Sequence, residues 1–359
     1  MTIFRLGHIT DLHFSTREGW LCPGDGSNSP SDFGKRAYRH IVRADIRRSI
    51  SDLFHPSGYS ADAAQNLFHS LAKEAPSLDA VIITGDLATT GEAVDLQIAA
   101  NFLGGTPPTW WNNRRGGIPS LIAQGVPVVT LPGNHDRYDG LFQPRSRKFE
   151  KFFGMYWDMD IAEISFSPNP ILSETGRVRY TTLERDGVVL GVVMADLSLD
   201  DAHSGSGLGG FIGQGRAAAK ILEEMIQSTK IIRLGTESER MQSAVIWAVH
   251  FPPEFPGLDL ELALLQGQDL VEAADQSGVS VLLAGHTHES ISYTAVSSGG
   301  HELNIICSGP SCGMSEHGNF SYSILEINAD GTTITVNPIH YKWIDWKFRQ
   351  QDYFPVSVI

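Results

Sequence analysis

The sequence predicts an α/β layered fold, and three observations carry that prediction. Short apolar segments rich in β-branched residues recur between residues 3 and 285, separated by helix-like stretches. Apart from Arg5 and His8 in the first, these segments are largely apolar rather than alternating, the pattern of strands covered on both faces. Beyond residue 300 the helical stretches stop and strand-like segments follow one another directly.

In chain order, the predicted strands are IFRLGHIT (3–10), AVIITG (80–85), VPVVTL (126–131), VVLGVVMA (188–195), AVIWAV (244–249) and VSVLLAG (279–285). Predicted helices cover 35–53, 61–74, 92–103, 216–226 and 260–276. In the tail, ELNIICSGP, SYSILEINADGTTITVNPI and HYKWIDW read as consecutive strands with Ala-Asp-Gly as a turn signal, so antiparallel pairing is expected across 301–345. Gly/Pro-rich patches at 19–34 and 104–119 read as surface insertions, because strand-like segments of the same type resume after each. With no internal repeat and no low-complexity linker, the chain reads as a single domain, 1–359, with insertions near 14–70 and 104–119.

Composition narrows the class. A hydrophobic content of 42% and a charged content of 19% are those of a globular protein that buries a core. No apolar run reaches the ~20 residues a spanning helix needs. The N-terminus, MTIFRLGHITDLHF, lacks a basic n-region and a continuous apolar h-region, which reads as a cytoplasmic location. Cys22, Cys307 and Cys312 are odd in number and unevenly spaced, the pattern of ordinary buried or turn cysteines in a reducing compartment. The formal net charge of −14 argues against a grip on long nucleic acid. A small phosphate ester stays open, because bound cations reverse the local field. A homo-oligomer is compatible with the sequence, and nothing in it fixes the oligomeric state.

Polar residues gather at the ends of the predicted strands. Asp11-Leu12-His13 follows the first, Gly85-Asp86 the second and Gly133-Asn134-His135-Asp136 the third. His250 follows AVIWAV, and Gly285-His286-Thr287-His288 follows VSVLLAG. Carboxyl ends of strands in α/β sheets face a crevice where ligands bind. Residues two apart in an extended segment point the same way, so the Asp-x-His and His-x-His spacings aim pairs of groups at one centre. Carboxylate, amide oxygen and imidazole suit Zn, Mn or Fe rather than Mg alone. The five strand ends deliver Asp, His, Asp, Asn, His, His and His as ligands, and seven such groups exceed one tetrahedral site and suit two metals sharing a carboxylate.

The ordered blocks DLH, GD, GNHD, VH and GHTH, over residues 11–288, resemble the signature of the calcineurin-like metallophosphoesterase superfamily. The resemblance implies a four-layer αββα sandwich of two mixed β-sheets. It implies one metal held by Asp11, His13, Asp86 and His288, and a second by Asp86, Asn134, His250 and His286. Asp86 and a hydroxide would bridge two divalent ions, Mn, Fe or Zn, and the hydroxide would attack phosphorus in line. His135 would face the substrate and protonate the leaving group or stabilise charge, and Asp136 would orient a neighbouring imidazole. The competing account, a set of unrelated core histidines, fails on the cost of clustering buried polar groups without a ligand. A metal-binding scaffold without activity is the remaining alternative.

Departures from relatives bear on the ester. Phosphoprotein phosphatases read G-D-x-V-D-R-G in the second block, whereas this chain has Thr89 and Thr90 where they carry Asp and Arg. GDLATTG is closer to the style of class III cyclic-nucleotide phosphodiesterases and glycerophosphodiesterases, and 196–215 loosely resembles their corresponding region without its Pro. The expected substrate is therefore a small phosphodiester, with a phosphomonoester or nucleotide pyrophosphate as the alternative. A diester carries one negative charge and needs no added Arg clamp, whereas a monoester wants more positive charge. Arg137 can supply it, though a surface salt bridge is its more ordinary use. His203 is a candidate substrate contact, as is His317 more weakly. His8 reads as a hydrogen-bonded core residue, and His40, His55, His69 and His301 as solvated or packing residues. FGKRAYRHIVRADIRR (33–48) and TWWNNRR (109–115) can cap the crevice and stack a base, or pack on acidic surface or a second subunit.

Overall fold

The computed structural model describes residues 2–15, 59–108, 111, 117–137, 148–157, 175–198, 215–238, 241–254, 264–313, 319–330 and 333–352. The expected helix at 35–53, most of the 14–70 insertion, Cys22, His40, His55, His203 and His317 lie outside these residues.

Two six-stranded mixed sheets make the frame. The first has the order β12-β11-β10-β1-β2-β3, built from β1 (Thr2–Ile9), β2 (Ala80–Ile83), β3 (Val128–Thr130), β10 (Ser321–Asp330), β11 (Thr333–Ile344) and β12 (Lys347–Gln350). The second has the order β4-β5-β6-β7-β9-β8, from β4 (Val178–Arg185), β5 (Val188–Ala195), β6 (Gln242–Val249), β7 (Val281–Ala284), β8 (Ile291–Val296) and β9 (Glu302–Cys307). β1, β2 and β3 run parallel, as do β5, β6, β7 and β9.

The continuous apolar runs are explained by two-sided burial. In β6, Ala244, Ile246 and Ala248 join a core shared with the first sheet, while Val245, Trp247 and Val249 pack with the helices α4 (Ala219–Ser238) and α5 (Gly267–Ser277). β5 divides likewise, Leu190, Val192 and Met194 against Val193 and Ala195. On the first sheet, the buried faces of α1 (Ala61–Glu74) and α2 (Ala93–Leu103) join the same core, with α3 (Phe149–Trp157) beside β3. The layers are thus helix, sheet, sheet, helix. Among the described residues no helix is long and apolar enough to cross a membrane.

Several boundaries differ from the sequence reading. α4 extends to Ser238, well past residue 226, because tertiary contacts hold its polar second half. Trp247 Nε1 donates to Thr229 Oγ1 at 3.0 Å, and the Arg233 guanidinium donates to the Ser277 and Gly278 carbonyls at the end of α5. TITVNPI and HYKWI form one strand, β11, which turns at Asp345-Trp346, both left-handed, into the unanticipated β12. β9 does not join this antiparallel tail; it lies between β7 and β8 in the second sheet. β4 and β8, half-buried, and the short α3 have no counterpart in the predicted set. The Trp111 side chain is fully buried, its ring 4.9 Å from Phe102 and 6.4 Å from Tyr59, so it is core rather than a base-stacking cap. Cys307 and Cys312 are both buried, and the Cys312 thiol donates to the Leu12 carbonyl at 3.5 Å.

His8 is buried between the sheets with Nε2 3.0 Å from Thr84 Oγ1, and burial pushes its pKa down to about 3. The folded state therefore refuses a proton that the unfolded chain takes up as pH falls below its ordinary value, and stability is lost in that direction. Between pH 7 and pH 5 this single group costs about 2 kcal/mol by linkage. Urea unfolding of metal-free protein is expected to show a pH dependence smaller by that amount in His8→Gln than in the wild type.

Candidate metal centre

Five loops meet at the site, each leaving the carboxyl end of a parallel strand: β1, β2 and β3 in one sheet, β6 and β7 in the other. The first two are laced edge to edge. Asp11 N–H donates to the Gly85 carbonyl at 3.1 Å, and the Leu12 and His13 amides both reach the Asp86 carbonyl, at 2.8 and 3.0 Å. The sheets are joined here as well, since His250 Nδ1–H donates to the Thr84 carbonyl at 2.7 Å.

The Asp-x-His and His-x-His pairs do converge, but not from extended backbone. Asp11 and His13 have φ of 51° and 50°, His286 and His288 of 66° and 54°, and Asp86 of 52°. Each left-handed non-glycine residue costs about 1 kcal/mol, so five at one place concentrate strain that the surrounding hydrogen bonds must hold. Two motif glycines serve close approach. A Cβ on Gly85, at φ 103°, would lie 2.5 Å from His250 Nδ1, and one on Gly133 would collide with the Asp86 carboxylate.

Two clusters of ligand atoms result. Asp11, His13 and His288 place one atom each within 4.8 Å of one another, with Asp11 Oδ1 3.7 Å from His13 Nε2 and 3.3 Å from His288 Nε2. Asp86, His250 and His286 do the same, with His250 Nε2 3.3 Å from Asp86 Oδ2 and 3.1 Å from Asn134 Oδ1. Asp86 Oδ2 is also 3.8 Å from His13 Nε2, so this one oxygen touches both clusters. His13, Asp86 and His135 form a third, overlapping group, the two rings perpendicular at 4.6 Å.

Each carboxylate divides its work. Asp11 Oδ2 accepts from the Thr10 hydroxyl at 2.7 Å and the His286 amide at 3.2 Å; Asp86 Oδ1 accepts from the His135 amide at 2.8 Å. Among the described residues, the other oxygens, Asp11 Oδ1 and Asp86 Oδ2, are buried with no hydrogen-bond partner, as are Nε2 of His13 and Nε2 of His286. Buried polar atoms are nearly always paired, and these converge, so the donor set fits divalent transition-metal ions.

The electrostatics agree. Burial opposes the charge on Asp86 and Asp11, yet His250, His135 and His13 hold Asp86 below the usual carboxylate range, and His13 and His288 do the same for Asp11. Against its own burial, the Asp86 charge pushes His250 up to about 9. Burial, then the charge on His250, pushes His286 down to about 3.

His135 is fixed at two points, its amide on Asp86 and its ring Nδ1–H on the Thr89 carbonyl at 2.9 Å. Thr89 and Thr84 act on His135 and His250 through main-chain oxygens, which no side-chain pattern announces. Asp136 requires a correction: its carboxylate accepts from the backbone amides of Leu87 (3.1 Å), Ala88 (2.8 Å) and Gly133 (3.0 Å) and clamps two motif loops together, with no imidazole among those partners. Burial and the nearby Asp86 charge push it up to about 7, against the pull of these amides. Arg137 requires another: it is 1% exposed and pairs with the fully buried Asp196 as well as with the partly exposed Glu150, so it is not the surface salt bridge expected. Neither Asp196 nor Glu150 was anticipated, because nothing in sequence links them to residue 137.

The fold and the paired ligand clusters define a metallophosphoesterase-type centre. A model of the calcineurin-like phosphoesterase family matches residues 4–290, and the chain belongs to that family, which implies a dinuclear metal centre. No curated protein matches the chain in sequence. Among solved structures it is similar in fold to the purple acid phosphatase PPD1 of yellow lupin (Lupinus luteus) seeds, with a TM-score of 0.51 and 12% identity over 97% of this chain and 53% of that one. The chain thus spans about half the length of that protein. It also overlays on GAP50, the anchor in the inner membrane complex of Plasmodium, with a TM-score of 0.46 and 9% identity over 99% and 91% of the two chains.

Asp136→Asn keeps the shape but replaces one acceptor oxygen with a donor facing amide N–H groups. Loss of stability by about 2 kcal/mol and of metal affinity by about tenfold is expected, checked by thermal unfolding and metal titration.

Proposed function

We propose that the chain is a dinuclear metal-dependent hydrolase of small phosphodiesters, of the cyclic-nucleotide or glycerophosphodiester class. In this reading Asp11, His13, Asp86 and His288 hold one ion, and Asp86, Asn134, His250 and His286 the other, the metals being Mn, Fe or Zn. When bound, the ions supply Lewis-acid charge at the phosphoryl oxygens and an activated water. Asn134 ligates without adding negative charge, so two ligand carboxylates leave the site an excess of positive charge for a phosphate. With Nδ1–H held by the Thr89 carbonyl, protonated His135 presents Nε2–H to the leaving oxygen as general acid.

The observation that carries the diester preference is the commitment of Arg137. A phosphomonoester dianion wants an added cation, and this guanidinium, the one adjoining the GNHD block, spends its donors on Asp196 and Glu150. A singly charged diester needs no such clamp.

The test is turnover of bis(p-nitrophenyl) phosphate against p-nitrophenyl phosphate by chelator-stripped protein reloaded separately with Mn, Zn, Fe or Mg. Diester preference with a transition metal is expected. Monoester preference would move the activity to a phosphatase, and no turnover with any metal would leave a scaffold. His135→Ala is expected to keep both metals and lose about 10²-fold in kcat, the scale of one general acid. Loss of metal by that variant would instead make His135 a ligand, as its grouping with His13 and Asp86 allows.

A further inference from the structure

Arg137 stands two residues beyond His135, at the other end of the single 3-10 turn His135–Arg137. Arginine is almost never fully buried unless paired, and here the pairing is extensive. Nε and Nη2 donate to Asp196 Oδ2 at 3.1 and 2.6 Å, while Nη1 and Nη2 donate to Glu150 Oε2 and Oε1 at 3.0 and 2.6 Å. The guanidinium carbon lies 5.5 Å from the centre of the Phe149 ring. Asp196 is fully buried and directly follows β5. Its strand neighbour Ala195 pairs with Val249, so Asp196 stands level with His250 at the carboxyl edge of the second sheet. The other Asp196 oxygen accepts from the Ser198 amide at 2.9 Å. One side chain thereby ties the loop after β3 to the opposite sheet and to α3.

We infer that Arg137 and Asp196 are positioning residues: their buried ion pair fixes the turn that presents His135, and so aims its imidazole at the leaving oxygen, without binding substrate. The inference rests on the reading of His135 as the general acid. His135 has its two own anchors on one side, at Asp86 and Thr89, and the Arg137 pair holds the turn from the other. A planar fork serves where an ammonium would not, because it reaches carboxylates on two separate elements at once. General acid catalysis is sensitive to the placement being held, since displacement of the order of 1 Å can cost about 10²-fold.

The experiment compares wild type, His135→Ala, Arg137→Lys, Asp196→Asn and Glu150→Gln on aryl phosphodiesters whose leaving groups run from p-nitrophenol to phenol. Metal content, Tm, KM and the dependence of kcat on leaving-group pKa are read together. p-Nitrophenolate departs without a proton and phenolate needs one, so impaired acid catalysis steepens the dependence. His135→Ala is expected to steepen it. Arg137→Lys and Asp196→Asn are expected to retain both metals and steepen it in the same direction, losing about tenfold more on the phenyl ester than on the p-nitrophenyl ester. Glu150 is 38% exposed, so Glu150→Gln keeps the test decisive if the buried variants do not fold, with a smaller steepening of about threefold. An unchanged dependence in folded, metal-loaded variants would overturn the inference, as would a raised KM with unchanged dependence, which would return Arg137 to substrate binding. If His135→Ala steepens the dependence and the others do not, the positioning role alone fails. If His135→Ala also leaves it flat, the general-acid reading fails with it, and a wild type without turnover ends the hydrolase reading.

Discussion

One carboxylate organises the site. Asp86 is buried at the meeting of both ligand clusters, and its two oxygens are not equivalent: Oδ1 is held by the His135 amide, while Oδ2 faces His250 at 3.3 Å and His13 at 3.8 Å. Taking this charge out of water is costly unless cations face it. His250 meets that demand with a proton, and the divalent ions that the family implies would meet it when bound, which would link metal uptake to the integrity of the site. Asp86 also carries the carbonyl that receives the Leu12 and His13 amides, so the residue at the centre of the charge balance is a hinge pin of the loops as well.

The frame exists to hold those loops against strain. Five site residues have left-handed backbone, which free loops would relax. Parallel strands from two sheets deliver them at one edge, and cross-sheet bonds such as His250 to Thr84 lock the edges together. Thr84 serves twice, its carbonyl on His250 and its hydroxyl on the core residue His8. Asp136 adds a third fastening by clamping the loops after β2 and β3 through three amides. Ligand geometry therefore depends on core packing, not only on the ligands.

Much of this was legible in the sequence. Strands buried on both faces announce themselves as continuous apolar runs, and β2, β3, β5, β6 and β7 were readable that way, as was β1 despite Arg5 and the exposed Ile3. The polar residues at their ends were readable as a set because each follows such a run. What escaped has physical reasons. β4 and β8 are half-buried and carry no continuous run, and the second half of α4 is held by Trp247 and α5 rather than by its own pattern. The convergence of Asp11 with His13 was anticipated from extended geometry and is achieved by left-handed turns, a choice of backbone that residue identity conceals at Asp and His. The roles of the Thr84 and Thr89 carbonyls, and the partners of Asp136 and Arg137, depend on which loops lie side by side, information that exists only after folding.

Whether two metal sites share Asp86 is decided by the metal stoichiometry of Asp86→Asn. Chelator-stripped wild type and variant, each titrated with Mn or Zn and analysed for bound metal after gel filtration, should differ in a specific way. Two ions per wild-type chain and loss of tight binding at both sites in the variant are expected, with the fold retained by circular dichroism. A variant that keeps one tightly bound ion per chain would show that the sites do not depend on a common carboxylate, and would overturn the shared role of Asp86.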